Sequence, residues 1–149
     1  GMAMAAKADK KDYRVYCICG DGELQEGQIW EAAMTAAHYK LDNLTLFVDC
    51  NGLQIDGKVE DVMNVAPVSD KFQAFGWKVL EVNGHDIAAI DQAVEKAKAL
   101  KESPTVIVCK TTKGKGISFM ENQAGWHGAA PDEQQFKTAI ERLKRQVGL

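Results

Sequence analysis

YRVYCICGDG, residues 13–22, decides how the rest of the chain is read. Tyr13 to Cys19 is β-branched, aromatic and largely apolar, which is strand composition, and it stops abruptly at Gly20-Asp21-Gly22. Ahead of it, ADKKD is a polar turn, and Gly1 to Lys7, rich in Ala and Met, reads as the tail of a helix. Behind it, Gln28 to Tyr39 predicts a helix. Ile29, Ala32, Ala33, Ala36 and Ala37 recur at i, i+3, i+4, i+7 and i+8 and so share one face. Leu44 to Asp49 (LTLFVD) is a second, nearly all-apolar strand, ending in Cys50-Asn51-Gly52.

The same alternation runs to the end of the chain. Gly57 to Met63 reads as a polar loop, and Ser69 to Phe75 as a short helix closed by Gly76. Trp77 to Val82 (WKVLEV) is a third strand, ending in Asn83-Gly84-His85-Asp86. Ile87 to Lys101 is a helix with Ile87, Ile90, Val94, Ala97 and Leu100 on one stripe, and Thr105 to Lys110 (TVIVCK) is a fourth strand. Thr111 to Pro131 is long, Gly-rich and aperiodic, as functional or disordered loops are. Asp132 caps a last helix reaching Val147, with Phe136, Ile140, Leu143 and Val147 as its apolar stripe. Strand and helix in alternation predict an α/β fold, a parallel sheet flanked by helices. The strands are apolar runs, as expected where both faces are covered. No repeat or linker interrupts the chain, so residues 1–149 read as part of one domain.

Composition excludes several classes. The 149 residues are 46% apolar and 26% charged, with 18 basic against 21 acidic side chains and a net charge of -3. That balance argues against a polybasic nucleic-acid or membrane-surface binder. No run approaches the roughly 18 apolar residues a membrane span needs, and GMAMAAKADKK lacks the pattern of a signal peptide. Cys17, Cys19, Cys50 and Cys109 include no C-x-x-C pair, and His38, His85 and His127 are scattered, so the spacing is not that of a zinc site. The cysteines lie in or beside apolar runs and read as small buried hydrophobes of a reducing, cytoplasmic protein.

In open parallel sheets, ligands bind beyond the carboxyl ends of the strands. Gly20 and Gly22 flank Asp21 without side-chain bulk, so backbone amides there can approach a ligand closely. A diphosphate beside the following helix N-terminus would meet free amides and a favourable dipole. An aspartate facing it would be repulsive without a cation between, and Mg²⁺ takes such oxygen ligands. Asn51 closes the next strand, with 28 residues between it and Gly22, and its amide oxygen is a hard, neutral ligand. Taken singly, Gly-Asp-Gly and Asn-Gly are also ordinary turns. Lys113-Gly-Lys-Gly lacks the glycine spacing and trailing Ser or Thr of a Walker loop.

Gly-Asp-Gly followed by Asn51 resembles the thiamine diphosphate-binding motif. GDGELQEGQIWEAAMTAAHYKLDNL and NGLQIDG resemble transketolases in particular, and KGKGISFMENQAGWHGAAP is similar to a later part of the same domain in split, two-subunit transketolases. The resemblance covers nearly the whole chain and implies a thiamine diphosphate-binding fold lacking its upstream segment. It implies Mg²⁺, replaceable by Ca²⁺ or Mn²⁺, held by Asp21, Asn51 and the Leu53 carbonyl. It implies cofactor contacts from Gly20, Asp21, Gly22, Asn51, Lys113 and His127, with His127 also facing the sugar and acting in catalysis. Glu26 and Glu31 match acids at the subunit interface, although exposed acids on a helix are commonly only solvated. His38 and His85 read as structural.

The implied reaction is transfer of a two-carbon ketol unit from a ketose phosphate to an aldose phosphate, in the pentose phosphate pathway. The glutamate that activates the cofactor's pyrimidine ring belongs to a second domain outside this sequence. The expected partners are therefore sugar phosphates and a C-terminal transketolase subunit or the missing domains, in a homo- or hetero-oligomer. Two alternatives stand beside this reading. One is a related thiamine diphosphate enzyme, a dihydroxyacetone synthase or deoxyxylulose phosphate synthase, although LQEGQIWEAA argues against the latter. The other is a non-catalytic, partner-binding module.

Overall fold

The structure is a computed structural model and describes residues 1–148. Leu149, the last residue of the stretch read as part of one domain, lies outside the described residues. Helix α1 (Met2–Ala8) leads into β1 (Val15–Gly20), a 3₁₀ turn (Gly22–Gln25), α2 (Gly27–His38) and β2 (Leu44–Cys50). A two-stranded hairpin follows, β3 (Leu53–Gln54) with β4 (Gly57–Lys58), then α3 (Val59–Val62) and α4 (Val68–Ala74). Next come β5 (Lys78–Asn83), α5 (Ile87–Ala99) and β6 (Thr105–Lys110). A second 3₁₀ turn (Ala124–His127) precedes α6 (Glu133–Gln146).

The main sheet has the order β1-β2-β6-β5, with every pairing parallel. The parallel α/β fold expected from the alternation is the one formed. Central β6 is buried from Thr105 to Cys109, which is why TVIVC carries no alternating pattern. One sheet face presents Leu46, Val48, Val106 and Val108 to Ala33 and Ala36 of α2, to Phe72 of α4 and to Trp77. The alanines of α2 let that helix lie close to the sheet. The larger rings fill what remains: Phe72 is fully buried and meets Trp77 edge-on at 5.4 Å. Buried Trp77 still satisfies its indole N–H, which donates to the Ala33 carbonyl at 2.9 Å. The opposite face packs Ile107, Cys109, Phe47 and Leu80 against Ala93 and Val94 of α5.

Several expectations give way. Gly57 to Met63 is not a loop but holds β4 and the single turn of α3. Gly57 turns the hairpin at φ +138°, and Val59 is buried. The strand β1 is not covered on both faces: it is a sheet edge, and Tyr16, Cys17 and Ile18 are exposed. Cys17 therefore departs from the buried-cysteine reading, whereas Cys19 and Cys109 fit it and Cys50 is half-buried. Ile87 at the head of α5, and Phe136 and Val147 along and beyond α6, lie on predicted apolar stripes yet face outward, while Ala139 is the buried residue of α6.

Candidate functional site

The carboxyl ends of β1, β2 and β6 converge, and their terminal residues are tied to one another. As β1 ends, the Gly20 N–H donates to Glu23 Oε2 at 2.6 Å and the Asp21 N–H to the Asp49 carbonyl at 3.0 Å. The Asp21 carboxylate turns inward. It accepts from the Gly22 N–H at 3.0 Å and from the Gly52 N–H at 2.7 Å. Gly22 leaves little room here, since a Cβ would stand 3.0 Å from Gln54 Cβ. Asp21 is 5% exposed, and burial pushes its carboxyl above the usual aspartate value. The neighbouring Asp49 charge adds to that, and the two amide bonds oppose it.

Asn51 folds over the end of β2. Its Oδ1 accepts the Leu53 N–H at 2.9 Å, and its Nδ2 donates to Asp49 Oδ2 at 3.0 Å. The other Asp49 oxygen accepts the Thr111 hydroxyl from the end of β6. Asp49 is thus the hub of the site, and sequence reasoning missed it. The signal available was an acid ending an all-apolar strand.

Lys113 sits in the turn that follows β6. Gly114, at φ +73°, has no room for a side chain, since a Cβ would meet the Met120 carbonyl oxygen at 2.6 Å. The Asn122 N–H closes the loop by donating to the Lys113 carbonyl at 3.0 Å. His127 ends the second 3₁₀ turn, beside Trp126, whose indole N–H is anchored on the Phe119 carbonyl at 3.2 Å.

Gly20, Gly22, Asn51, Leu53, Lys113 and His127 line a single cleft of about 940 Å³. The structure therefore brings together six of the seven residues expected at the site. The seventh, Asp21, borders a separate depression with Cys50, Gly52 and Val59, and is tied to the amide of Gly52, which stands between the cleft residues Asn51 and Leu53. Glu26 lines the cleft too, whereas Glu31 is exposed on α2. His38 is exposed, its ring edge-on to Tyr39.

Among the described residues, neither Asp21 nor Asp49 nor Lys113 belongs to an ion pair. Two neighbouring carboxylates with only neutral partners fit a divalent cation. Among the described residues, no three His, Cys, Asp or Glu side chains gather into a metal cluster. A cation here would therefore draw on neutral oxygens as well, and Asn51 and the Leu53 carbonyl are the ones at hand. Each Asp21 oxygen has a lone pair to spare beyond its one amide bond.

An open parallel sheet with carboxylate, amide, ammonium and imidazole groups gathered at its carboxyl edge defines a cofactor-binding α/β domain. Residues 3–149 match the family model described as transketolase, thiamine diphosphate binding domain, and the chain belongs to that family. It is 44% identical over 147 residues to one of the subunits of the apulose-4-phosphate transketolase of Phocaeicola vulgatus, an alignment covering 99% of this chain and 52% of that protein. It is 42% identical over 146 residues to the 6-deoxy-6-sulfo-D-fructose transketolase subunit SqwG of a Clostridium species, covering 98% of this chain and 53% of that one. The crystal structure of transketolase from Campylobacter jejuni superposes with a TM-score of 0.87 at 39% identity, covering 99% of this chain and 23% of that one. The chain spans about half the length of the split-transketolase relatives it matches. No helix among the described residues is long and apolar enough to cross a membrane.

Proposed function

We propose that this chain forms the diphosphate- and Mg²⁺-binding part of a cytoplasmic two-subunit transketolase. The complete enzyme moves a two-carbon ketol unit from a ketose phosphate to an aldose phosphate, the chemistry of the pentose phosphate pathway. The observation that carries this reading is the cleft itself. It gathers Lys113, which has no ion-pair partner among the described residues, with Asn51, Leu53 and His127 in one lining. Thiamine diphosphate, when bound, supplies the carbanion chemistry.

The chain's own residues bind and orient. Asp21, Asn51 Oδ1 and the Leu53 carbonyl would hold the cation. Lys113 would offer a positive charge to a diphosphate bound in the cleft. Gly20 and Gly22 keep that wall free of side chains. The His127 imidazole would donate a hydrogen bond to phosphate, or give and take a proton at a substrate oxygen. The group that activates the pyrimidine ring comes from the partner subunit.

The reading is tested in the complete enzyme with Asp21→Ala. Mg²⁺ and thiamine diphosphate affinity, followed by calorimetry, is expected to fall by two orders of magnitude or more, since removing the one buried carboxylate ligand costs several kcal/mol. Unchanged affinity removes Asp21 from the site. The 149-residue chain alone is expected to show no turnover with ketose and aldose phosphates until its partner is supplied.

A further inference from the structure

His85, at the turn after β5, lies outside the cleft, and the sequence reading leaves it structural. Its hydrogen bonds point elsewhere. The His85 N–H donates to Asn83 Oδ1 at 3.0 Å, which fixes the turn, and the ring Nε2 accepts the Thr112 N–H at 2.7 Å. Thr112 immediately precedes Lys113. The adjoining Thr111 is held on both sides: its N–H donates to the Cys50 carbonyl at 3.3 Å and its hydroxyl to Asp49. Gly84 lets the two turns touch. A Cβ there would collide with Thr111 Cγ2 and stand 3.0 Å from Cys109 Cβ, and the Gly84 N–H donates to the Lys110 carbonyl at 2.9 Å. His85 and Lys113 also line one cavity of about 570 Å³, walled by Ile18, Phe47 and Ile90 and adjoining the cleft at Asp49 and Asn51.

We propose that His85 is a positioning residue for Lys113: its neutral imidazole, accepting at Nε2, holds the Thr111–Lys113 segment so that the lysine faces the diphosphate cleft. The proposal deepens the reading of the cleft as a diphosphate site and rests on it. The residues form one chain, from His85 through Thr112 and Thr111 to Asp49 and Asn51. Every link is a hydrogen bond or a peptide bond. The two arms of the site, the lysine after β6 and the cation turn after β2, are thereby set relative to each other. Without the His85 acceptor, the Thr112 amide turns to solvent, and the link that ties this segment to the turn after β5 is lost, leaving the Thr111 anchors and the loop's own Asn122 N–H bond to the Lys113 carbonyl.

The test measures thiamine diphosphate affinity, at saturating Mg²⁺, of the full-length protein in complex with its partner. His85→Ala is expected to weaken binding about tenfold, the effect of losing one anchoring hydrogen bond. Gln can carry an acceptor oxygen to the place of Nε2, and Asn is one methylene too short. His85→Gln is therefore expected to restore affinity and His85→Asn not to. Lys113→Ala is expected to weaken binding as well, and adding His85→Ala to it to change nothing further, because His85 acts through the lysine. Thermal unfolding checks that each variant folds, and the Gln and Asn pair keeps the test decisive where Ala does not fold. Equal affinity for Gln and Asn, or fully additive effects of His85→Ala and Lys113→Ala, overturns the proposal. A weakened Lys113→Ala with an unaffected His85→Ala overturns it alone. Lys113→Ala at wild-type affinity overturns the reading of the cleft together with it.

Discussion

Asp49 and Asn51, two residues apart at the end of β2, are joined side chain to side chain by an Asn51 Nδ2 to Asp49 Oδ2 bond of 3.0 Å. That bond settles the orientation of the amide and turns Oδ1, the atom suited to a hard cation, away from Asp49. Supporting groups of this kind hold a ligand in its binding rotamer, and their loss lowers metal affinity by about 10–100-fold. Asp49→Ala is expected to weaken Mg²⁺-dependent cofactor binding to that extent. It also strands the Thr111 hydroxyl, at a stability cost of about 1–3 kcal/mol. Asp49→Asn, which keeps one acceptor oxygen, falls between. Calorimetry and denaturant unfolding read the two effects separately, and an Asp49→Ala enzyme with native affinity would show that Asn51 needs no support.

The loop after β6 makes a sharper steric demand. Gly114 combines φ +73° with a Cβ position 2.6 Å from the Met120 carbonyl oxygen. Gly114→Ala is expected to displace Lys113 or Met120, costing about 1–3 kcal/mol and weakening cofactor binding. Gly125, with nothing within 4 Å of its Cβ position and no positive φ, is the control. Ala there is expected to change stability by no more than about 0.5 kcal/mol. Matched thermal melts and titrations of the two variants decide the point.

The layered fold was legible because each long element carries its own pattern: TVIVC for a strand buried on both faces, Ile29 to Ala37 for a helix with one small-residue face. The glycines and Asn51 at the strand ends pointed to the cleft for a related reason, since polar residues after an apolar run fall at the sheet's carboxyl edge. What escaped depends on contacts distant in sequence. Asp49 reads as the polar end of LTLFVD until Thr111, just past the end of β6, comes to rest against it. His85 reads as a turn residue until the Thr112 amide arrives. The β3–β4 hairpin has strands of two residues, too short for any periodicity to register. The openness of β1 was hidden because its apolar run says only that it is a strand, not how many neighbours it has. The inward turn of Asp21 follows from the Gly22 and Gly52 amides, which no side-chain pattern reports.

The amino end of the sheet is held by charge, and its strength depends on pH. Burial works against ionisation of Asp42, but the Lys7 hydrogen bond and charge, with the Glu102 N–H, outweigh it and leave the carboxyl below its ordinary value of 3.8. The Lys7 ammonium stands 2.8 Å away and ties α1 to the turn before β2. A carboxyl whose folded value is lowered stabilises the protein above the unfolded value, and that contribution is lost as pH falls through the folded one. Acid melts of the wild type are therefore expected to lose this contribution below pH 3.8. Asp42→Asn is expected to be less stable at neutral pH and less sensitive to acid in that window. Identical slopes of melting temperature against pH for the two proteins would remove Asp42 from the account.

Strand β1 leaves an edge of the sheet open, and that edge is apolar. Ile18 is 73% exposed and Tyr16 45%, while only one side of the strand is paired, with β2. Natural edge strands are short, charged or covered, because a long apolar edge is a template for another strand. None of these protections is found on YCIC. The 149-residue chain prepared by itself is therefore expected to self-associate as its concentration rises and to bind a dye that reports apolar surface. Ile18→Lys puts a charge at the most exposed point of the edge and is expected to reduce both, leaving the fold intact because the wild-type side chain buries so little. Sedimentation velocity over a concentration series distinguishes the outcomes. A wild-type chain that stays monomeric without dye binding would mean that the edge tolerates water as it stands. Association unchanged by Ile18→Lys would place the contact elsewhere, with the exposed Met2, Phe136 and Val147 as the next surfaces to test.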